Sequence, residues 1–264
     1  MIEVGNYGGK LEEEMRAFFP SSSSLALFEA LKAFVKFSTL NFDASHNWVH
    51  ALEVTKNALL IANDSEFSQI NTHKLLIASM LHDVCDDKYK DKSISNLQLQ
   101  QFIESIVPTV TKLQDFPNSS GSSNDYVAEV LNIIGSVSFS KQVKKQTHEL
   151  TLNPSDLLIL KILRDADRIE AIGMKGIQRC YVYTKENLSK DSQNESDSKR
   201  LKTATQSELD RLVIQHCHEK LLKLYEERYI STDAGRAIAL PLHKEVVDFV
   251  RSFENPSFGA SDDE

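Results

Sequence analysis

Three short segments of the sequence concentrate histidine and aspartate, the side chains that commonly bind divalent metal ions. They are His46-Asn-Trp-Val-His50, His82-Asp83 and Asp165-Ala-Asp167. Neutral imidazole nitrogens and carboxylate oxygens bind Mn, Fe, Ni, Zn and Mg to differing degrees. The sequence therefore indicates a site for a divalent ion, provided that the fold brings these segments together.

Spacing decides which of these side chains could share an ion. His46 and His50 are four residues apart, so a helix would place both on one face. The residues of the His82-Asp83 pair are about 100° apart on a helix and can approach an ion from neighbouring directions. Asp165 and Asp167 are about 200° apart, so one would bind the ion and the other would support it.

Each of these residues, taken singly, has an ordinary structural explanation. A lone buried histidine is more often hydrogen-bonded in a core, and an aspartate at a helix end is more often a cap or a surface charge. The His82-Asp83 pair, however, directly follows the apolar run Leu76–Leu81. Two ionisable groups at a buried helix end are costly unless a metal or hydrogen bonds compensate. The combination favours a functional site.

Helices are the elements that must position these residues. Apolar residues recur at helical spacing after Ser21–Ser24, which offer N-cap candidates. Asp43–Ser45 predicts the start of a second helix and Thr72 the start of a third, which leads to Leu81. Further helices are predicted at about 93–107, 125–137, 154–169, 173–184, 206–229 and 232–253. Because no strand pattern competes with these helices, the predicted fold class is all-α.

The chain of 264 residues is long enough for a sizeable core, and its 41% hydrophobic and 26% charged residues are ordinary for a globular enzyme. We predict an N-terminal extension over residues 1–20, one helical domain over 21–254 and a disordered tail over 255–264. The polar stretch 185–205 is predicted to be a mobile insertion.

The net charge of −8 argues against nucleic-acid polymers and anionic membranes as partners. A small anionic substrate is compatible with it, because a bound divalent ion inverts the local field. Cys85, Cys180 and Cys217 show no disulfide or paired-ligand pattern, and neither a secretory signal nor a membrane-spanning run is present. We therefore expect a soluble cytoplasmic protein; the sequence does not indicate its oligomeric state.

The order of these segments resembles the HD-domain superfamily of metal-dependent phosphohydrolases, which is named after its adjacent His-Asp pair. More closely, the chain is similar to the bacterial-type HD hydrolase family that includes nucleotide pyrophosphatases. The matching stretches are His46–His50, Leu81–Lys88, Ser136–Lys141, Arg164–Gly173 and Ser231–Gly235.

The resemblance implies a single all-helical domain around one divalent ion, whose ligands are His50, His82, Asp83 and Asp167. It leaves Asp165 as a supporting partner. Mn is the leading ion, with Mg, Ni, Fe and Zn as alternatives. The chain departs from the family pattern at Glu53, where the family commonly has Arg, and at 216–220, which replaces a more aromatic version of a motif.

Other charged residues near the predicted ligands are candidates for catalysis and substrate binding. Asp86 lies about one helical turn after Asp83 and could act as general base or acid, although a solvated helix-end charge is the ordinary alternative. His46 could contact phosphate or protonate a leaving group, or simply support the site. Lys88 and Lys141 could donate to phosphate, and their ordinary explanations are a helix C-terminus and a solvated loop.

The leading functional hypothesis is hydrolysis of nucleoside or deoxynucleoside triphosphates to monophosphate and pyrophosphate. Alternatives within the same superfamily are a 5′-nucleotidase, a cyclic-nucleotide phosphodiesterase and a guanosine-tetraphosphate hydrolase. A zinc peptidase would need Glu directly after the first histidine, where Asn47 stands. A ligand-binding or scaffold protein with a degenerate site is the non-enzymatic alternative.

Overall fold

A computed structural model describes residues 4–43, 46–64, 67, 70–85, 94–112, 123–144, 152–190 and 205–254. Within this part of the chain every regular element is helical, which confirms the all-α prediction. By their internal contacts, Met1–Asp167 and Arg168–Glu264 form two compact units. None of the described helices is both long enough and apolar enough to span a bilayer.

In the described residues of unit 1, Met1–Asp167, seven complete helices and most of an eighth are present. They are α1 (Val4–Arg16), α2 (Ser22–Ser38), α3 (Trp48–Ala62), α4 (Thr72–Leu81), α5 (Asn96–Lys112), α6 (Ser123–Gly135), α7 (Phe139–Val143) and α8 (Pro154–Glu170). Their core is built around α4, in which every residue from Lys74 to Leu81 is buried. Helices α2, α3 and α6 pack against α4.

Three side-chain caps define where α2, α3 and α4 begin. Ser21 accepts a hydrogen bond from the Ser24 amide, as the serine run predicts. Asn47 accepts from the amides of Val49 and His50 and so starts α3 at Trp48. Asn71 rather than Thr72 caps α4. His46 therefore lies before α3, and the prediction that His46 and His50 share a helix face is wrong.

In its described residues, unit 2, Arg168–Glu264, contains the end of α8 and further helices. They are α9 (Gly173–Lys190), α10 (Gln206–His216), a π-helical turn (Cys217–Leu221), α11 (Leu222–Glu226) and α12 (Asp233–Glu254). The amide of Met174 at the start of α9 donates to Glu245 of α12 over 2.8 Å. Gly173 precedes it with φ +77°, a left-handed conformation that favours glycine.

The predicted insertion at 185–205 is partly helical, because α9 continues to Lys190. Lysine, glutamate and leucine, which occur in this extension, are good helix formers. Residues 191–204 and the predicted tail at 255–264 lie outside the described part of the chain.

Candidate metal centre

The predicted ligands converge where the start of α3 meets the end of α4. His50 lies in the first turn of α3, His82 is the C-cap residue of α4, and Asp83 follows it directly. Asp167 lies in the last turns of α8. The donor atoms of His50, His82 and Asp83 all lie within 4.8 Å of one another.

Distances between donor atoms test whether one ion could be held. Nε2 of His50 and Nε2 of His82 each lie 3.3 Å from Oδ2 of Asp83. Oδ1 of Asp167 lies 3.6 Å from Nε2 of His50 and 3.9 Å from Nε2 of His82. Ligand atoms about 2.0–2.3 Å from an ion and about 90–120° apart stand about 3.0–4.0 Å from one another. The four separations fit a shared ion.

Hydrogen bonding alone does not account for the arrangement of these side chains. The 3.3 Å separations exceed the ordinary N–H···O range of about 2.7–3.2 Å. Nε2 of His82 is buried and has no hydrogen-bond partner. A buried polar atom without a partner is costly. A divalent ion would bind its lone pair and remove that cost.

One backbone contact determines which nitrogen His82 offers to the site. Nδ1 of His82 lies 2.8 Å from the carbonyl oxygen of Ser79. Because a carbonyl oxygen only accepts, Nδ1 must carry the hydrogen, and in the neutral ring Nε2 keeps its lone pair. Ser79 acts through its backbone, so no side-chain signal in the sequence could have identified it.

The electrostatics of the site reflect burial and opposite charges. Burial lowers the pKa of His82, but the carboxylates of Asp83 and Asp167 outweigh burial and raise it. Burial raises the pKa of Asp83, while His82 and His50 more than reverse this effect and hold it well below its usual range. Without an ion, the site therefore favours an imidazolium beside a carboxylate.

The other predicted site residues differ in what the structure says about them. The rings of His46 and His50 have centroids 6.0 Å apart, and Nδ1 of His46 lies 3.2 Å from Oδ1 of Asp43. Asp165 is fully buried. Lys141 belongs to α7 by its backbone, whereas its side chain, like Asp86 and Lys88, lies outside the described part of the structure.

Two arginines of the matching stretches make contacts to backbone carbonyl oxygens. Both Nε and Nη2 of Arg164 donate to the carbonyl oxygen of Ser136, over 3.1 and 2.6 Å. Arg168 donates to the carbonyl oxygen of Tyr229 over 2.5 Å. Burial raises the pKa of the Cys85 thiol to about 11, so this cysteine stays protonated at neutral pH.

Sequence comparisons identify a family model and two relatives. The model, described as HD domain, matches residues 47–172. Uncharacterized protein L803 of Acanthamoeba polyphaga mimivirus is 26% identical over 228 residues, covering 80% of this chain and 89% of the relative. Uncharacterized protein YpgQ of Bacillus subtilis is 24% identical over 229 residues, covering 86% of this chain and 91% of the relative.

Solved structures with a similar fold include Bacillus subtilis YpgQ in complex with ADP, with a TM-score of 0.57, 20% identity and coverage of 90% of this chain and 100% of that chain. A protein from Lactobacillus plantarum has a TM-score of 0.55 and 20% identity, and the match covers 89% of this chain and 98% of that chain. An HD-superfamily hydrolase from Bacillus thuringiensis has a TM-score of 0.50 and 19% identity, and the match covers 89% of this chain and 97% of that chain. At these identities the likeness shows a shared fold.

Proposed function

We propose that the chain is a metal-dependent hydrolase of nucleoside or deoxynucleoside triphosphates, with monophosphate and pyrophosphate as products. The match of residues 47–172 to the model described as HD domain supports this proposal. The observation that carries the proposal is the convergence of His50, His82, Asp83 and Asp167 around the Nε2 atom of His82, which is buried and has no hydrogen-bond partner. This donor set suits a hydrolytic divalent ion, with Mn as the leading candidate and Mg, Ni, Fe or Zn as alternatives.

A divalent ion held by these residues would polarise a phosphoryl oxygen and lower the pKa of a water molecule towards neutrality. Two imidazoles and two carboxylates are the protein's contribution. The carboxylates of Asp83 and Asp167 balance the charge of a divalent ion, and the Ser79 carbonyl holds the His82 ring in the required tautomer.

Further roles are assigned to the charged residues around the ligands. Asp86 is the proposed general base or acid, and His46 the proposed phosphate contact or proton donor to the leaving group. The contact between His46 and Asp43 supports this role, because a carboxylate beside Nδ1 orients the imidazole. Lys88 and Lys141 are proposed to bind phosphate, and Asp165 to support Asp167.

A nucleotide is the proposed substrate for two reasons. The sequence resembles the bacterial-type HD family that includes nucleotide pyrophosphatases, and YpgQ, whose fold is similar, has been crystallised in complex with ADP. The protein's net charge of −8 makes a nucleic-acid polymer a poor substrate, since it lacks an overall positive charge to neutralise phosphates.

The test is product analysis with the purified full chain and each divalent ion added in turn. Ribonucleoside and deoxyribonucleoside triphosphates, ADP, AMP, cyclic AMP and guanosine tetraphosphate form the substrate panel. We expect monophosphate and pyrophosphate from triphosphates. In oxygen-18-labelled water, attack at the α-phosphorus would place the label in the monophosphate, whereas attack at the β-phosphorus would label pyrophosphate.

Other products would redirect the proposal. Release of inorganic phosphate from AMP would indicate a nucleotidase, and opening of cyclic AMP a phosphodiesterase. No turnover of any phosphate ester by metal-loaded protein would contradict an enzymatic function. The His82→Ala variant, purified in the same way, controls for contaminating phosphatases.

A further inference from the structure

Trp48, the single tryptophan of the chain, is the first residue of α3 and lies two residues before His50. Its half-buried indole packs against the core of unit 1. Nζ of Lys36, on α2, lies 3.9 Å from the centroid of the ring. Such a cation–π contact restricts the indole from the α2 side.

Helix α1 restricts the same indole at Gly8. A Cβ atom at Gly8 would stand 2.8 Å from Cη2 and 2.9 Å from Cζ2 of Trp48. Real Cβ atoms essentially never approach a heavy atom this closely, so any side chain at position 8 would require α1 or the indole to move. Gly9, the next residue, has no heavy atom within 4 Å of a Cβ built in the same way.

Helix α1 is held in place along its length. Oη of Tyr7 donates to Oε1 of Glu53 on α3 over 2.6 Å. Nζ of Lys56, also on α3, lies 2.5 Å from Oε2 of Glu14. These contacts oppose a shift of α1 away from Trp48.

The core and a second pair of charges add to this anchoring. Leu11 and Met15 of α1 belong to the hydrophobic core of unit 1. Glu12 accepts from Lys32 and Lys36 of α2, over 3.1 and 2.6 Å. Burial raises the pKa of Glu12, but the two lysines lower it by more than burial raises it, so the pKa of Glu12 is below its usual value. Lys36 thus connects Glu12 on α1 with the indole of Trp48.

We propose that Gly8 and Trp48 are positioning residues for the metal centre: α1, which precedes the matched HD domain, fixes the first turn of α3 and through it His50. The proposal rests on the metal site of the proposed function. Displacement of the indole would disturb a turn in which Asn47 caps the amides of Val49 and His50, over 2.9 and 3.3 Å. A small shift of His50 is enough to spoil ligand distances near about 2.1 Å.

The experiment compares Gly8→Ala with Gly9→Ala in the full chain, without nucleotide. Mn²⁺ affinity is measured from the electron paramagnetic resonance signal of the free ion. We expect Gly8→Ala to weaken binding about tenfold, the lower end of the range for residues that support metal ligands. Gly9→Ala should bind Mn²⁺ like the wild type, since alanine is favoured in helices and meets nothing there.

Trp48 itself supplies a spectroscopic signature of displacement, which is read in variants whose far-ultraviolet circular dichroism matches that of the wild type. Its fluorescence is the only tryptophan emission of the protein. In folded Gly8→Ala the emission maximum should shift to longer wavelength, because the displaced indole contacts more water. In Gly9→Ala it should stay at the wild-type position.

A size exchange completes the test. Phenylalanine at position 48 lacks the ring atoms that collide with a Cβ at position 8, so Gly8→Ala combined with Trp48→Phe should recover Mn²⁺ affinity to within about threefold of Trp48→Phe alone. Equal Mn²⁺ affinity in Gly8→Ala and wild type, or no recovery in the double variant, would overturn the positioning role.

Wild-type protein that binds Mn²⁺ but cleaves no nucleotide would contradict the proposed substrate and leave this test valid. Failure of the wild type to bind any divalent ion would overturn both proposals.

Discussion

His82 divides its two ring nitrogens between the protein and the predicted ion. Nδ1 donates to the carbonyl oxygen of Ser79, and Nε2 faces Asp83 and Asp167 in a buried position without a hydrogen-bond partner. A backbone anchor of this kind orients a ligand before the metal arrives. His82 is therefore oriented to offer Nε2 to a divalent ion.

Replacing His82 or Asp83 by alanine should abolish metal binding and activity. Each variant loses one of four donors, so the loss should exceed the 10- to 100-fold that removal of a supporting residue costs. Metal content after gel filtration and turnover on the preferred nucleotide measure the two effects. His218→Ala is the matched control, because His218 is an exposed histidine that pairs with Glu254 on the surface.

Asp86→Asn separates a catalytic role from a ligand role. If Asp86 is a general base or acid, the variant keeps its metal and loses kcat. Loss of metal in Asp86→Asn would instead move Asp86 into the coordination shell. Full metal content and wild-type turnover in both His82→Ala and Asp83→Ala would contradict the proposed site.

The pKa shifts of the site predict that metal binding releases protons. The raised pKa of His82 means that its imidazole keeps a proton to higher pH than usual in the metal-free protein, and a metal must displace that proton. Affinity should consequently rise with pH and level off above the pKa of His82. Calorimetric titration with Mn²⁺ near neutral pH, in two buffers of different ionisation enthalpy, measures the released protons. Identical enthalpies in both buffers would contradict the prediction.

Residue types and a family resemblance predicted which side chains meet at this site, but not how they are held. The i, i+4 spacing suggested one helix face for His46 and His50, whereas the Asn47 cap starts α3 after His46. Local side-chain competition for the first amides of a helix decides such boundaries, and several cap candidates stood close together here. The carbonyl of Ser79 that contacts His82 belongs to the backbone, and because every residue has a backbone carbonyl, the sequence could not identify this one.

At the scale of elements, α4, α6 and α8 are joined by a buried charge cluster far from the helix ends that carry the ligands. Nζ of Lys74 lies 2.8 Å from Oδ1 of Asp156 and 2.7 Å from Oε2 of Glu129. Lys74 is 7% exposed and Asp156 is fully buried. Burial raises the pKa of Asp156, and Lys74 offsets only part of this effect.

Lys74→Met should destabilise the protein by about 3–5 kcal/mol, because it leaves the Asp156 carboxylate buried with Asn153 as its remaining side-chain partner. Urea unfolding followed by far-ultraviolet circular dichroism measures the change. Lys161→Met, at an exposed position of α8, should stay within about 0.5 kcal/mol of wild type. Equal destabilisation by both substitutions would show that the buried cluster contributes nothing specific.

The helices themselves were largely predictable, since apolar periodicity and start signals are local properties. The predicted segments at 154–169 and 232–253 correspond to α8 and α12 within a residue or so. The partners of Lys74 were not predictable, because Asp156 lies 82 residues away in sequence. The boundary between an extension at 1–20 and the domain stays a prediction, although α1 contributes Leu11 and Met15 to the core of unit 1.

At the scale of the whole molecule, all four predicted ligands belong to unit 1, which ends at Asp167. Composition and length predict one domain over residues 21–254, which stays a prediction, and contacts within the chain group it into two compact units. Composition cannot show how those contacts are grouped, because hydrophobic content measures how much core can form and not how it is distributed. Unit 1 alone contains the donor set on which the proposed chemistry depends.

Helices α4 and α8 are connected at two places by charged side chains. Lys74 and Asp156 join them near their beginnings, and the predicted ligands His82, Asp83 and Asp167 meet near their ends, about 12 Å further along α4 and about 16 Å further along α8. A chelator that removes the ion would break the connection through the predicted ligands and leave the ion pair of Lys74 and Asp156 intact. The apoprotein should therefore keep its fold and accept a new ion on reconstitution, so one chelated stock could serve to rank every candidate metal.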